Sequence, residues 1–191
     1  MSLEQKINNL ETDLHIMGTL VLESLVSAVR ALEDKDTAKA SEVMDKDDEI
    51  DDAYMKIDQD WFELMATEQP VASDLRLSTS ILQASLHLER LGDLSVYLGK
   101  TTHEIHDLPI PESLHKIVVE MGDMVIDMAS SALESLKNRD AELALSTARK
   151  DELINSLYNK MLNEVPNISG NKDLYNGLFR LITCVRTLER G

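Results

Sequence analysis

The sequence predicts an all-α protein: two tandem three-helix bundles related by an internal repeat. Three observations lead there. Leu, Ala, Met and charged residues dominate, aromatics make up 4%, and only 7 Gly and 4 Pro interrupt 191 residues. That is the composition of long helices packed on one another. Apolar residues recur in alternating steps of three and four, as on a helix face that meets a neighbour. Shifted by 104 residues, the segment 17–54 matches 121–158 at 12 of 38 positions, which marks a duplicated unit.

The first helix is expected over residues 3–33, with Ile7, Leu10, Leu14, Met17, Val21, Leu25, Ala28 and Leu32 facing the core. Residues 33–36 turn the chain, and Asp36 is a good N-cap for the second helix. That helix is expected to run to residue 68, where Gln69-Pro70 breaks it. Its inward row is Ala40, Val43, Asp47, Ile50, Tyr54, Ile57, Trp61 and Leu64. The third helix, residues 70–105, carries the row Leu75, Ser78, Leu82, Ser85, Glu89, Gly92 and Val96. Asp107-Leu-Pro-Ile-Pro111 is stiff and extended, and separates a first repeat, 1–107, from a second, 112–191. Three further helices follow over 112–137, 141–164 and 172–191, with Pro166 and Gly170 marking the last loop. Both repeats carry an acidic N-cap (Asp36, Asp140) and an inward Asp (Asp47, Asp151). A shift of 100 places Leu88-Glu89-Arg90 on Leu188-Glu189-Arg190. The position matching Asp93 would be 193, so the second repeat is expected to be truncated at its C-terminus.

The formal net charge of −16 excludes a nucleic-acid binder, which needs a basic footprint. The single Cys184 rules out an internal disulfide and a cysteine metal site. The N-terminus lacks a signal peptide's apolar core, and no run approaches the ~18 apolar residues of a membrane helix. A cytoplasmic protein with no membrane insertion is expected.

The chemistry lies in two pairs of carboxylates. Glu89 and Asp47 occupy inward positions where apolar residues belong. Asp93 and Asp51 follow one turn later on the same sides. Ser78, Ser85 and Gly92 leave room beside Glu89. A buried carboxylate requires a proton, a cation or a metal. Two helices with such pairs can close four oxygen-donor groups around a hard or borderline ion such as Mg, Mn, Fe or Zn. Solvated helix faces with salt bridges are the plainer alternative.

Asp47-x-x-Ile50-Asp51, Gln69-Pro70-Val71-Ala72-x-Asp74-Leu75-Arg76 and Leu88-Glu89-Arg90-Leu91-Gly92-Asp93, in this order in a duplicated helical chain, resemble the PhoU family. The resemblance covers residues 17–191. It implies two similar three-helix bundles holding clusters of iron, zinc or other divalent ions on [E/D]-x-x-x-D pairs. Carried over by position, the ligands are Asp47, Asp51, Glu89 and Asp93, then Asp151 and Glu189. Asn155 stands where the second repeat would need an acid, so a second site is expected to be weaker or absent. The resemblance also implies a non-catalytic regulator of phosphate uptake and the phosphate-starvation response. Such a protein acts with a phosphate ABC transporter's ATPase subunit and a sensor histidine kinase, as a homodimer. The alternatives are a carboxylate-bridged metalloenzyme and a metal-free helical adaptor.

Other polar residues have bland readings. Glu112-x-x-His115 matches one half of a ferritin-like di-iron motif, but one half alone is chance spacing. His103, Glu104 and His106 form a solvated helix end, and His15 and His87 belong to packed faces or flanks. The nine Met residues, Tyr54 and Trp61 fill the core. Arg90 and Arg190 follow the inward Glu and pair with the clusters or lie exposed on the flank. No phosphate loop, nucleophile elbow or catalytic triad is present.

Overall fold

A computed structural model describes residues 1–167, 170 and 172–190. The first repeat contains α1 (Leu3–Asp34), α2 (Thr37–Asp45), α3 (Asp47–Glu68) and α4 (Ala72–Ile105). The second contains α5 (Glu112–Asn138), α6 (Ala141–Ala148), α7 (Asp151–Glu164), a 3-10 turn (Val165–Asn167) and α8 (Lys172–Arg190). The rest of the loop expected between Pro166 and the last helix falls mainly outside the described residues. In the first bundle α1 packs on α4 and α3, and α2 on α4. In the second, α5 packs on α6, α7 and α8. The bundles join through α1 against α5 and α4 against α8.

The predicted caps form. Asp36 accepts from Lys39 N–H at 3.0 Å and Asp140 from Leu143 N–H at 2.9 Å. Before each, a left-handed residue ends the long helix, Lys35 (φ 53°) and Arg139 (φ 54°). The expected core of α1 is buried from Ile7 to Leu32. α1 also has the length and composition of a membrane span, which the lack of an 18-residue apolar run did not anticipate. Its apolar stripe is engaged inside the protein: Met17, Val21, Leu25 and Ala28 are all 0% exposed. On α4 the buried line runs through Ser78, Ser85 and Gly92 as expected, whereas Leu75 lies 42% exposed.

The structure departs from the predicted three helices per repeat at one point, and it does so twice. The second arm breaks at Lys46, and the fifth predicted helix breaks at Arg149–Lys150. Neither break contains Gly or Pro, so hydrophobic period alone could not show it. α3 restarts with Asp47, Asp48 and Glu49 in its first turn, and α7 with Asp151 and Glu152. Acidic side chains there complement the unpaired N–H groups and dipole of a helix start.

The repeats meet through one contact made twice. A Cβ on Gly18 would lie 2.8 Å from Leu133 Cδ1, and one on Gly122 would lie 2.6 Å from Val29 Cγ2. Gly18 and Gly122 are equivalent positions, as are Val29 and Leu133, so α1 and α5 cross antiparallel about a pseudo-twofold axis. Arg30 to Asp123 (2.5 Å) and Arg139 to Glu11 (3.6 Å) bracket the crossing. Val29 is stiff at χ1, whereas Leu133 can turn away. Gly122→Val is therefore expected to destabilise by about 1–3 kcal/mol through overpacking. Gly18→Val should cost less, and the order of the two urea midpoints checks this.

Candidate metal centre

The four first-repeat carboxylates come together where the start of α3 meets the middle of α4. One apolar contact sets their separation. Ile50, between Asp47 and Asp51, inserts against Gly92, between Glu89 and Asp93. A Cβ on Gly92 would lie 3.0 Å from Ile50 Cγ2 and 3.2 Å from Ile50 Cδ1. Ser85, one turn before Glu89, is 0% exposed and donates its hydroxyl to Leu82 O at 2.8 Å. A small residue at each of these points lets the two backbones approach.

The acids line the edge of the bundle rather than its interior. Asp47 and Glu89 are half-buried, while Asp51 and Asp93 are exposed. Their charges act on one another across the helix boundary. Burial first, then the charges of Asp51, Asp93 and Asp48, push the Asp47 carboxyl above its ordinary range, and Lys100 opposes them. Burial followed by Asp93, Asp51 and Asp47 pushes Glu89 up in the same way, against Arg90. Among the described residues no Lys, Arg or His makes a salt bridge to any of the four. Lys56 of α3 instead pairs with Asp13 and Asp60. The cluster thus holds concentrated negative charge that Lys100 and Arg90 offset only through their fields.

Oxygen donors of this number and type suit a hard or borderline cation. Among the described residues no three His, Cys, Asp or Glu side chains are grouped to hold a metal ion, so the four acids are electrostatic neighbours and not a formed site. Sequence reasoning missed Asp48 and Lys100. The acidic first turn after Lys46 signals the former. The latter lies three helical turns beyond Glu89 on the same side.

The second repeat does not reproduce this environment. Asp151 opens α7 as Asp47 opens α3, but Asn155 Nδ2 donates to Asp151 Oδ2 at 3.0 Å. An amide thus satisfies the carboxylate where the first repeat sets a second acid. Glu189 lies in the last turn of α8, and both residues line an open cavity of about 530 Å3. Of the bland assignments, His115 is buried and its Nε2–H donates to Leu32 O at 2.8 Å, tying α5 to the end of α1. His103 meets Ser41 Oγ at 3.0 Å, and His106 meets Asp107 at 2.8 Å. Arg90 is exposed and acts on Glu89 through its field alone.

The PhoU domain model matches residues 14–102 and again 118–190, once for each repeat. The chain belongs to the PhoU family. It is 32% identical to the phosphate-specific transport system accessory protein PhoU homolog of Clostridium acetobutylicum, over 98% of this chain and 86% of that protein. Its fold is similar to the crystal structure of PhoU from Pseudomonas aeruginosa, with TM-score 0.93 and 30% identity over 99% of this chain and 91% of that one. The phosphate transport system regulatory protein PhoU from Streptococcus pneumoniae gives TM-score 0.89 at 26% identity, over 99% and 89%. The duplicated all-α architecture read from the sequence is the architecture of the family.

The raised carboxyls carry a pH signature in metal-free protein. In the window between the ordinary and the raised values, folded PhoU chains hold protons that unfolded chains have lost, so stability falls as pH rises through it. In chelator, Asp47→Asn/Glu89→Gln is expected to flatten that slope and to raise the unfolding midpoint above the window. Urea titrations across the acid range measure both.

Proposed function

We propose that this chain is a non-catalytic, metal-binding regulator of phosphate uptake and of the response to phosphate starvation. The observation that carries the proposal is the PhoU match over both repeats, together with relatives named as accessory or regulatory proteins of phosphate transport. The regulator acts in the cytoplasm as a homodimer, through contacts with the transporter's ATPase subunit and with a sensor histidine kinase.

The metal proposal rests on Asp47, Asp51, Glu89 and Asp93, with Asp151 and Glu189 as a weaker second set. Iron, zinc, manganese and magnesium all fit oxygen donors of this kind. When bound, such an ion supplies a Lewis-acid site that accepts an anionic oxygen, including one of phosphate. The protein's part is mechanical. Asp47 and Asp51 hold the start of α3, Glu89 and Asp93 hold the middle of α4, and relief of their mutual repulsion draws the two helices together. Removing acids in the second repeat has less effect, because Asn155 already partners Asp151.

Elemental analysis of protein purified without added metal tests the metal assignment. The native chain is expected to retain transition metal, and Asp51→Ala/Asp93→Ala to lose most of it while keeping its helical content. Equal metal in both proteins would leave a metal-free adaptor. Pull-down of the transporter ATPase subunit, with and without phosphate, tests the regulatory assignment separately. The expected outcome is binding that phosphate changes; no binding in either condition would contradict it.

A further inference from the structure

The outer flank of the α3–α4 pair carries a line of large apolar side chains in water. Asp51 and Asp93 identify this flank, because their charges act together on Asp47 and Glu89 across the two helices. Counted on from Asp51 in steps of a helical turn, Met55, Asp58 and Phe62 share its side of α3. Counted back from Asp93 in the same way, Glu89, Leu86, Leu82 and Leu75 share its side of α4. The helices run antiparallel with Ile50 against Gly92, so Met55 comes level with Leu86, and Phe62 lies between Leu82 and Leu75. Met55 is 57% exposed and Phe62 69%, and Leu75 and Leu86 are exposed as well. At the tip of the pair, Gln69 and Ala72 both take a left-handed φ of 49°, which disfavours any residue with a Cβ. Val71 between them is 73% exposed, so strained backbone holds an apolar side chain out in water. The second repeat leaves the same flank bare: Tyr175 and Phe179 stand at the positions of Leu75 and Thr79, and both are exposed. The last described turn of α8 is on the other flank of α4, where Glu189 and Arg190 share a cavity with His87, Leu88 and Leu91. Exposure of Met55 and Phe62 therefore does not depend on α8. Large apolar residues exposed at the same place in both repeats mark a contact surface.

We propose that the α3–α4 flank docks one amphipathic α-helix of a partner protein, whose apolar stripe is bordered by Lys and Arg. Shape favours a helix, because two antiparallel helices leave a shallow groove along their line of contact. Charge selects the border. Asp52 and Asp58 edge the face on α3, and Asp51 and Asp93 close one end of it. Among the described residues none of these four is in a salt bridge. Arg76 and Arg90 on the far edge of α4, and Lys100 beyond Asp93, offset them in part. A second copy of this face would set the same acids against one another, and an anionic membrane would be repelled by them. A basic helix instead buries Met55, Phe62 and Leu86 while its Lys and Arg meet the free carboxylates. The inference rests neither on the proposed metal nor on the proposed phosphate-transport partners.

The probe is the synthetic helical peptide LKKLLKLLKKLLKL, fluorescently labelled and titrated against the full 191-residue chain in chelator at physiological salt. Saturable one-to-one binding is expected. A reordered peptide of the same composition, with Leu on all sides of a helix, should bind at least tenfold more weakly. Phe62→Ser removes an exposed side chain, so it should keep native circular dichroism and also lose at least tenfold in affinity. Asp52→Ala/Asp58→Ala, which leaves the candidate metal centre intact, should weaken binding several-fold, and Phe179→Ser should bind as the native chain does. No saturable binding, or equal binding of the reordered peptide, overturns the proposal. So does unchanged binding by Phe62→Ser or by Asp52→Ala/Asp58→Ala, or an equal loss in Phe179→Ser. A chain dimer that Phe62→Ser dissociates would give the face to a second copy, and capture by phosphatidylglycerol vesicles that Phe62→Ser abolishes would give it to a membrane; either result overturns the proposal.

Discussion

The contact of Ile50 with Gly92 sets the geometry on which the candidate centre depends. Each of these residues lies between two acids of its own helix, so the closeness of α3 and α4 at this point fixes the closeness of four carboxylates. An apolar contact made without a side chain on one partner thus holds together groups that repel one another. The repulsion is tolerable because Asp51 and Asp93 face water and only Asp47 and Glu89 lose part of their hydration.

Duplication explains why the site has a partner position, and divergence explains why the two differ. Both arms restart a helix at an Asp, half-buried Asp47 and exposed Asp151, and both follow a left-handed residue and an acidic N-cap. The crossing of α1 and α5 repeats the same glycine contact in each direction. Against that symmetry, Asn155 turns one acidic pair into an internally hydrogen-bonded one. One repeat has kept concentrated charge, while the other has an amide in place of one acid.

Much of this was legible in the sequence, for physical reasons. Three-four periodicity revealed the cores of α1 and α3 because each buries one stripe. The caps at Asp36 and Asp140 were legible because an acid followed by a helix-forming run has few other roles. The break at Lys46 was not, because the chain there keeps both helical propensity and hydrophobic period across one non-helical residue. The depth of the carboxylates was also misjudged. A position in the inward row gives a direction, not a burial, and α4 turns its buried line toward Leu88 and Leu91, leaving Glu89 at the edge. His115 matches half a metal motif and is instead a partner for the Leu32 carbonyl at the end of α1. Only its packing against a helix 83 residues away reveals that role.

The account stands on helix spacing gathering the acids, and Gly92→Leu tests it without removing a charge. The variant leaves all four carboxylates in place and adds a side chain where Ile50 already sits. Calorimetric titration with manganese or zinc, alongside circular dichroism to confirm the fold, makes the comparison with the native chain. The predicted result is a folded protein whose metal affinity falls at least tenfold. A folded Gly92→Leu protein that binds metal as tightly as the native chain would contradict the claim that the Ile50–Gly92 contact builds the centre.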